Sequence, residues 1–339
     1  MTKAENPLPK SVPQPAADEA RLRAGLSPQI NHRVRSARIV AGRAVVVAEA
    51  GDLSAEQRAA LEADITAALA PLDGISEVRV ALTGERRRTR LIAVGSGKGG
   101  VGKSTLTTNL AVALAKMGRK VGVIDGDIYG PSQPRLLGTE GKKPAAEGDK
   151  LVPIETAFGV KVLSMGHIVA PGKALAWRGP MTGKALSQLI DAVWDDTDIL
   201  MIDLPPGTGD VQLSMLSAHR PDGAVLVSTP QDLALMDAAR AGQLFDQGNV
   251  PIIGLVENMA GYCCPECGHI SDPFGSGGVE KFAAALDIPF LGRVPLTLET
   301  RISGDAGTPP AAGEGETAAP FIAIAERLAR WLDTGSVAG

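Results

Sequence analysis

The chain has 339 residues, 44% of them hydrophobic and only 3% aromatic, enough for one large α/β core with an appendage, packed by Leu, Val, Ile and Ala. Its formal net charge of −4 gives no basic footprint, which argues against nucleic acid and against an anionic membrane surface as partners. No apolar run reaches the ~18 residues of a membrane span, the N-terminus lacks a secretory core, and all three cysteines fall within 263–267. A cytoplasmic protein without a disulfide framework is expected.

In chain order, residues 1–30 mix Pro, Ala, Lys and Glu with no apolar period and read as a disordered tail. Two short strands flank Ala41 and Gly42 over 37–48, followed by a helix over 54–69, with Ser54 and Gln57 as a capping box, and a strand over 75–82. This small α+β unit, 31–83, falls below the usual domain size, so support from the main domain or from a partner is expected. The linker 83–89, with Arg86, Arg87 and Arg88, reads as solvated rather than as a nucleic-acid contact.

The main domain, 90–335, opens on 91–116 as a buried strand, a glycine loop and a helix with Leu106, Leu110 and Leu114 on one face. Between strand and helix, Gly97, Gly102, Lys103 and Ser104 fit the phosphate-loop pattern G-x-x-x-x-G-K-S/T. Glycines let backbone amides approach phosphate oxygens, Lys103 offers a point charge, and Ser104 offers a hydroxyl to Mg2+. The helix aims its positive end at the same anion.

A strand over 120–124 then delivers Asp125 and Asp127 at its carboxyl end, where open α/β sheets bind ligands. Asp127 suits water or metal better, and the other carboxylate can serve the loop backbone. The following Y-G-P-S-Q-P holds too many turn formers for regular structure and is a candidate switch loop. After a strand over 160–164 and a helix over 182–194, the apolar strand 199–202 ends in Asp203 and L-P-P-G-T-G-D. A carboxylate there, with a free amide at Gly207, matches a Walker B site and its γ-phosphate sensor.

Strands over 223–228 and 252–257, with a helix over 233–245 between them, complete the alternation of a doubly wound, mostly parallel α/β sheet. Past Asn258 come the cysteines, a helix over 279–286 and a strand over 290–294; residues 303–320 look like a mobile loop. The last helix, from about Pro320, carries Phe321, Ile324, Leu328 and Leu332 on one stripe and docks on the core. Its mixed polar face, with Glu326 and Arg330, argues against a membrane anchor.

Cys264-Pro265-Glu266-Cys267-Gly268 is a metal knuckle, a tight turn that points two thiolates at one ion. Zinc or an iron–sulfur cluster takes about four ligands, and the sequence holds no second C-x-x-C. Either Cys263 and His269 complete a local site or two copies each contribute a pair. The local option is cramped because adjacent cysteines diverge, whereas a symmetric dimer completes the count with one isologous contact. A redox dithiol would follow a strand and precede a helix, unlike this pair. Spacing leaves iron–sulfur and zinc both open.

The loop G-K-G-G-V-G-K-S-T, with its extra Lys98, resembles the deviant Walker A signature shared by the nitrogenase iron protein and the septum-positioning and partition ATPases. With D-G-D-I-Y-G-P-S, D-L-P-P-G-T-G-D and E-N-M-A-G-Y-x-C-P-x-C-G added, the sequence is similar to the Mrp/ApbC-type iron–sulfur carrier ATPases from about residue 90 to 332. The resemblance implies a slow, Mg-dependent ATP hydrolase that works as a homodimer and passes a [4Fe-4S] cluster from an assembly scaffold to apo iron–sulfur proteins. It places Gly97, Lys98, Gly99, Gly100, Val101, Gly102, Lys103, Ser104 and Thr105 around the phosphates, with Asp203 and Gly207 beside them. Lys98 would reach the phosphates held by the other subunit, as an arginine finger does. Lys103 and Asp127 would join it in catalysis, and Ser104, Asp127 and Asp203 would take Mg2+. Asn258 would contact adenine, with Pro295 near the base, and Cys264 and Cys267 of both subunits would hold the bridging cluster.

Two features depart from that family. Cys263 is an additional thiol, and the N-terminal unit resembles only the latter half of an accessory domain, without its first helix and acidic motif. A positioning or partition ATPase is the main competing reading; it calls for a basic terminal helix or patch and has no use for a knuckle. A reductase like the nitrogenase iron protein would carry its ligand cysteines far apart in sequence, and a zinc-bridged assembly would make the metal structural.

Overall fold

The computed structural model describes residues 15–51, 53, 55–83, 89–127, 130–168, 180–207 and 209–337. Ser54, the linker arginines, Tyr129 of the expected switch loop, Thr208 and the first 14 residues of the expected tail lie outside the described residues. The chain divides into two compact units, Met1–Arg88 and Thr89–Gly339.

The first unit contains α1 (Pro15–Ala24), α2 (Pro28–Asn31), β1 (Val34–Val40), β2 (Arg43–Glu49), α3 (Ala55–Leu69) and β3 (Glu77–Thr83). Its sheet runs β1-β2-β3, with β1 antiparallel and β3 parallel to β2. Ala41 and Gly42 turn the hairpin with φ of +51° and +77°, the left-handed pair that a two-residue connection requires. Residues 15–31 are thus mainly helical rather than tail. Leu22 and Leu26, four apart, enter the same core as Val46, Ile65 and Leu69, and that burial offsets the ordering entropy. A helix therefore does precede β1.

The second unit begins with β4 (Arg90–Ser96), α4 (Lys103–Lys116), β5 (Val121–Asp125) and α5 (Gln133–Leu136). Three short strands follow, β6 (Ala145–Glu147), β7 (Lys150–Val152) and β8 (Ile154–Glu155), then β9 (Val160–Ser164) and α6 (Met165–Ile168). Next are α7 (Pro180–Ile190), β10 (Ile199–Asp203), α8 (Asp210–Ala218), β11 (Gly223–Ser228) and α9 (Asp232–Gln247). The unit ends with β12 (Ile252–Cys263), β13 (Ile270–Ser271), α10 (Gly278–Ala285), β14 (Phe290–Leu296), α11 (Leu298–Ala306) and α12 (Ala319–Thr334).

Among the described residues nine strands form one sheet, in the order β13-β12-β11-β4-β10-β5-β9-β8, with β14 also on β12. Only β8 and β13 pair antiparallel. The central strands are apolar throughout because both faces are covered. Ile92 and Val94 share a core with Leu106 and Leu110 of α4 and Phe321, Ile324 and Leu328 of α12. Ala93, facing the other way, packs with Leu186 and Leu189 of α7 and Phe245 of α9. This is a doubly wound α/β fold. None of the helices among the described residues is long and apolar enough to cross a membrane.

Three segments differ from expectation. The Y-G-P-S-Q-P stretch is regular at its end, where Gln133 and Pro134 open α5. Proline suits a first helical turn, and Asp125 accepts the amides of Ser132 and Gln133. Residues 303–320 are not a loose loop, because α11 covers their start and the buried Ala311 amide donates to Asn109 Oδ1 at 2.9 Å. Strand β12 does not stop at Glu257; β14 pairs with it as far as Tyr262, and β13 pairs with Cys263.

The carboxyl ends of β4, β10 and β5 lie side by side, with Asp203 in register with both Val94 and Asp125. β4 is the first strand of the sheet and is flanked by β10 and β11, so the strand order reverses here, the position at which open α/β sheets bind ligands.

Candidate nucleotide site and cysteine hairpin

The glycine loop joining β4 to α4 is shaped by close approach. A Cβ at Gly97 would lie 2.0 Å from the Asp237 carbonyl carbon of α9, so only glycine fits. Gly100 and Gly102 turn the chain at φ of +79° and +81°. Gly102 caps α4 without a side chain, which leaves the first-turn amides to face an anion. From β12, Asn258 Nδ2 donates to Val101 O at 2.7 Å and buttresses the loop; in this structure it serves the loop backbone. Pro295 follows Val294, the register partner of Asn258 on β14.

Three of the expected residues come together. The buried Lys103 ammonium ion-pairs with Asp203 Oδ1 and lies 3.3 Å from Ser104 Oγ, so one cation sits between a hydroxyl and a carboxylate. Thr107 Oγ1 also donates to Asp203, at 3.3 Å. Others lie apart. Asp127 Oδ1 accepts the Gly130 amide at 3.1 Å, and Lys98 Nζ donates to Gln231 Oε1 at 3.3 Å in an exposed bond. The Gly207 amide donates to Ser96 O at 2.9 Å and is not free as its sequence context suggested.

At the other end of β12 the chain turns back in a hairpin, with Cys263 opposite Ile270. The Cys264 amide donates to His269 O and the Gly268 amide to Cys264 O, both at 2.9 Å, and Gly268 adopts φ of +69°. This is a knuckle. Amides of Glu266, foremost, and of Cys267, together with the Cys267 side chain, hold the Cys264 thiol below the usual thiol range. Cys263 points its sulfur to Gly268 O at 3.7 Å instead. Among the described residues no group of three His, Cys, Asp or Glu side chains is placed to hold a metal, and Cys263 and His269 are not gathered with the pair in this structure. Glu257, fully buried, ties β12 to α10 and β14 by accepting from Gly277 N, Val279 N and Arg293 Nε.

A phosphate loop and a two-thiol hairpin on one sheet narrow the comparison with known proteins. The family of iron-transfer P-loop NTPases described as NUBPL, of the ParA type, matches residues 87–329. This chain belongs to that family. The iron–sulfur cluster carrier protein of Escherichia coli K12 is 45% identical to this chain over 246 residues, 71% of this chain and 66% of that protein, so the chain spans just under two thirds of that relative's length. The carrier protein of Pseudomonas fragi is 43% identical over 278 residues, 77% of this chain and 96% of that protein. A nucleotide-binding protein of Archaeoglobus fulgidus, solved in complex with ADP, superimposes with a TM-score of 0.60 at 36% identity, covering 69% of this chain and 91% of that one.

Sequence reasoning missed Gln133 and Gln212 at this site, whereas Asp125 takes the loop-backbone role expected of one of the two carboxylates. Gln133, buried at the start of α5, donates from Nε2 to Asp203 Oδ2 at 2.9 Å. Gln212 of α8 donates to Pro205 O at 2.7 Å and Gly207 O at 3.1 Å, which fixes the loop after Asp203. Asp125, fully buried, accepts from Ser132 N, Gln133 N and Ser164 Oγ through Oδ2 and from Asp127 N through Oδ1. Burial, and next the charge of Asp203, push the Asp125 carboxyl up to about 7. Glutamines inside a turn-rich stretch and a helix carry no sequence signal of such contacts.

Proposed function

We propose that this iron-transfer P-loop NTPase is an ATP-dependent iron–sulfur cluster carrier that acts as a homodimer. The observation that carries the reading is β12. Its Asn258 holds the phosphate loop at Val101, and the same strand ends at Cys263, beside the two-thiol knuckle. One element thereby links a nucleotide site to a cargo site.

ATP is the substrate of the first site. The open first turn of α4 and the amides of Gly100 and Gly102 receive its phosphates, and Lys103 moves from Asp203 to the outer ones. The donor set of Ser104 and Asp203 fits Mg2+, because both groups already face one cation, the Lys103 ammonium. Mg2+ would neutralise phosphate charge there. Asp127 orients water or metal once it leaves Gly130, and Lys98, which now holds an exposed bond to Gln231, reaches the phosphates of the partner copy. Hydrolysis is slow until that second copy is in place.

The [4Fe-4S] cluster is cargo. Each chain offers Cys264 and Cys267, and a cluster takes about four thiolates, so two copies hold it together. It is handed on to apo iron–sulfur proteins after delivery from an assembly scaffold.

Reconstitution without oxygen, followed by iron, sulfide and zinc analysis, tests the reading. Cys264→Ala and Cys267→Ala should each abolish cluster binding and leave ATP binding intact. A cluster retained in either variant would remove that cysteine from the ligand set, and stoichiometric zinc without sulfide would make the knuckle structural.

A further inference from the structure

Gln133 is an amide side chain with no exposed surface, and all of its polar atoms are engaged. Nε2 donates to Asp203 Oδ2 at 2.9 Å and to Ser104 O at 3.1 Å, and Oε1 accepts from Thr108 Oγ1 at 2.7 Å. Its backbone amide donates to Asp125 Oδ2 at 3.0 Å. The orientation of the amide is forced, because the carboxylate and the carbonyl can only accept while the Thr108 hydroxyl can donate. One residue thus touches the end of β10, the first turn of α4 and the end of β5.

Resting on the nucleotide reading above, the problem Gln133 addresses is the departure of Lys103. Asp203 is fully buried, and the ammonium on Oδ1 is its cationic partner. Once that ammonium turns to a phosphate, the carboxylate keeps only hydroxyl and amide donors, and a free side chain there would rotate. Gln133 grips Oδ2, the oxygen Lys103 does not use, and grips the backbone of Ser104 at the same time. The separation between Asp203 and Ser104 is then set by one rigid amide.

We propose that Gln133 is a positioning residue for the divalent cation: it holds Asp203 and Ser104 at a fixed spacing when Lys103 leaves, so that the pair binds Mg2+ as a preformed site. This role does not require Gln133 to touch nucleotide or metal.

The test uses the full chain, a fluorescent ATP analogue and magnesium chloride. Nucleotide binding is measured first in EDTA and then across a magnesium titration. Gln133→Leu keeps the volume and removes every side-chain hydrogen bond. It should raise the magnesium concentration for half-maximal response by about 10-fold or more, the usual effect of losing a group that orients a metal ligand. Binding in EDTA should stay within about twofold of the wild type, since the phosphate loop itself is untouched. An unchanged magnesium requirement in the folded variant overturns the proposal, and so does an equal loss with and without magnesium, which marks a purely structural role. Should Gln133→Leu precipitate, Thr108→Val removes the hydroxyl that pins Oε1, and the same split in smaller measure is expected; no split overturns the proposal. A wild-type chain that binds no nucleotide in either condition overturns the functional reading and this proposal together.

Discussion

Asn258 and Cys263 lie on one strand and face opposite surroundings. Asn258 is bonded into the phosphate loop, and the charges beyond it are buried and matched: Lys103 with Asp203, Asp203 with Gln133 and Thr107, Asp125 with the amides of Ser132 and Gln133. The hairpin that follows Cys263 exposes Cys267, and no third ligand side chain accompanies its pair of thiols among the described residues. The buried carboxylates of the first site, Asp203 and Asp125, find their partners within one chain. The second gathers two thiols without a third ligand side chain among the described residues, and the proposed function fills that set from a second copy.

The contrast predicts different costs for single substitutions. Lys103→Ala removes the cation from a buried carboxylate and should lower the stability of the nucleotide-free protein by about 3–5 kcal/mol in urea denaturation; a loss below about 1 kcal/mol would mean that Asp203 is not held by the pair. A pH effect comes next. Asp125 binds its proton more tightly in the folded chain, near 7 against an ordinary 3.8, so stability should fall as pH rises through that window and level off above it. The slope should not exceed about 1.4 kcal/mol per pH unit. Asp203→Asn removes the neighbouring charge and should shrink the window from its upper end; an unaltered slope would detach the effect from the carboxylate pair. The smallest effect belongs to the hairpin. Cys264→Ala should leave the stability of the cluster-free protein within about 0.5 kcal/mol of the wild type, and a larger loss would give the knuckle a structural role.

How legible these features are in the sequence follows the same division. The apolar strands ending at Ser96 and Asp203 announce themselves because both faces are buried, and the glycine loop does so because close approach at Gly97 excludes other residues. The helix over Pro15–Ala24 does not, since Leu22 is its one leucine in the core and Leu26 joins it only from the turn beyond the helix end. The role of Gln133 is hidden in a run of turn formers, where partners more than twenty residues away decide the structure: Thr108, Ser104 and Asp203. The length of β12 is hidden for a similar reason. Met259 and Gly261 have φ of +58° and +79°, and the strand persists only because β14 and β13 supply its hydrogen bonds. The knuckle itself is local, so the hairpin of Cys264 and Cys267 is read directly, while the remaining ligands, which we propose come from a second chain, leave no local signal.

That last point is the centre of the account, and native mass measurement of the protein reconstituted without oxygen addresses it directly. The account predicts one species of two chains with a single cluster of about four irons and four sulfides, and reversion to single chains when Cys264→Ala and Cys267→Ala are combined. A single chain carrying a complete cluster, or a dimer whose only metal is zinc, would contradict it.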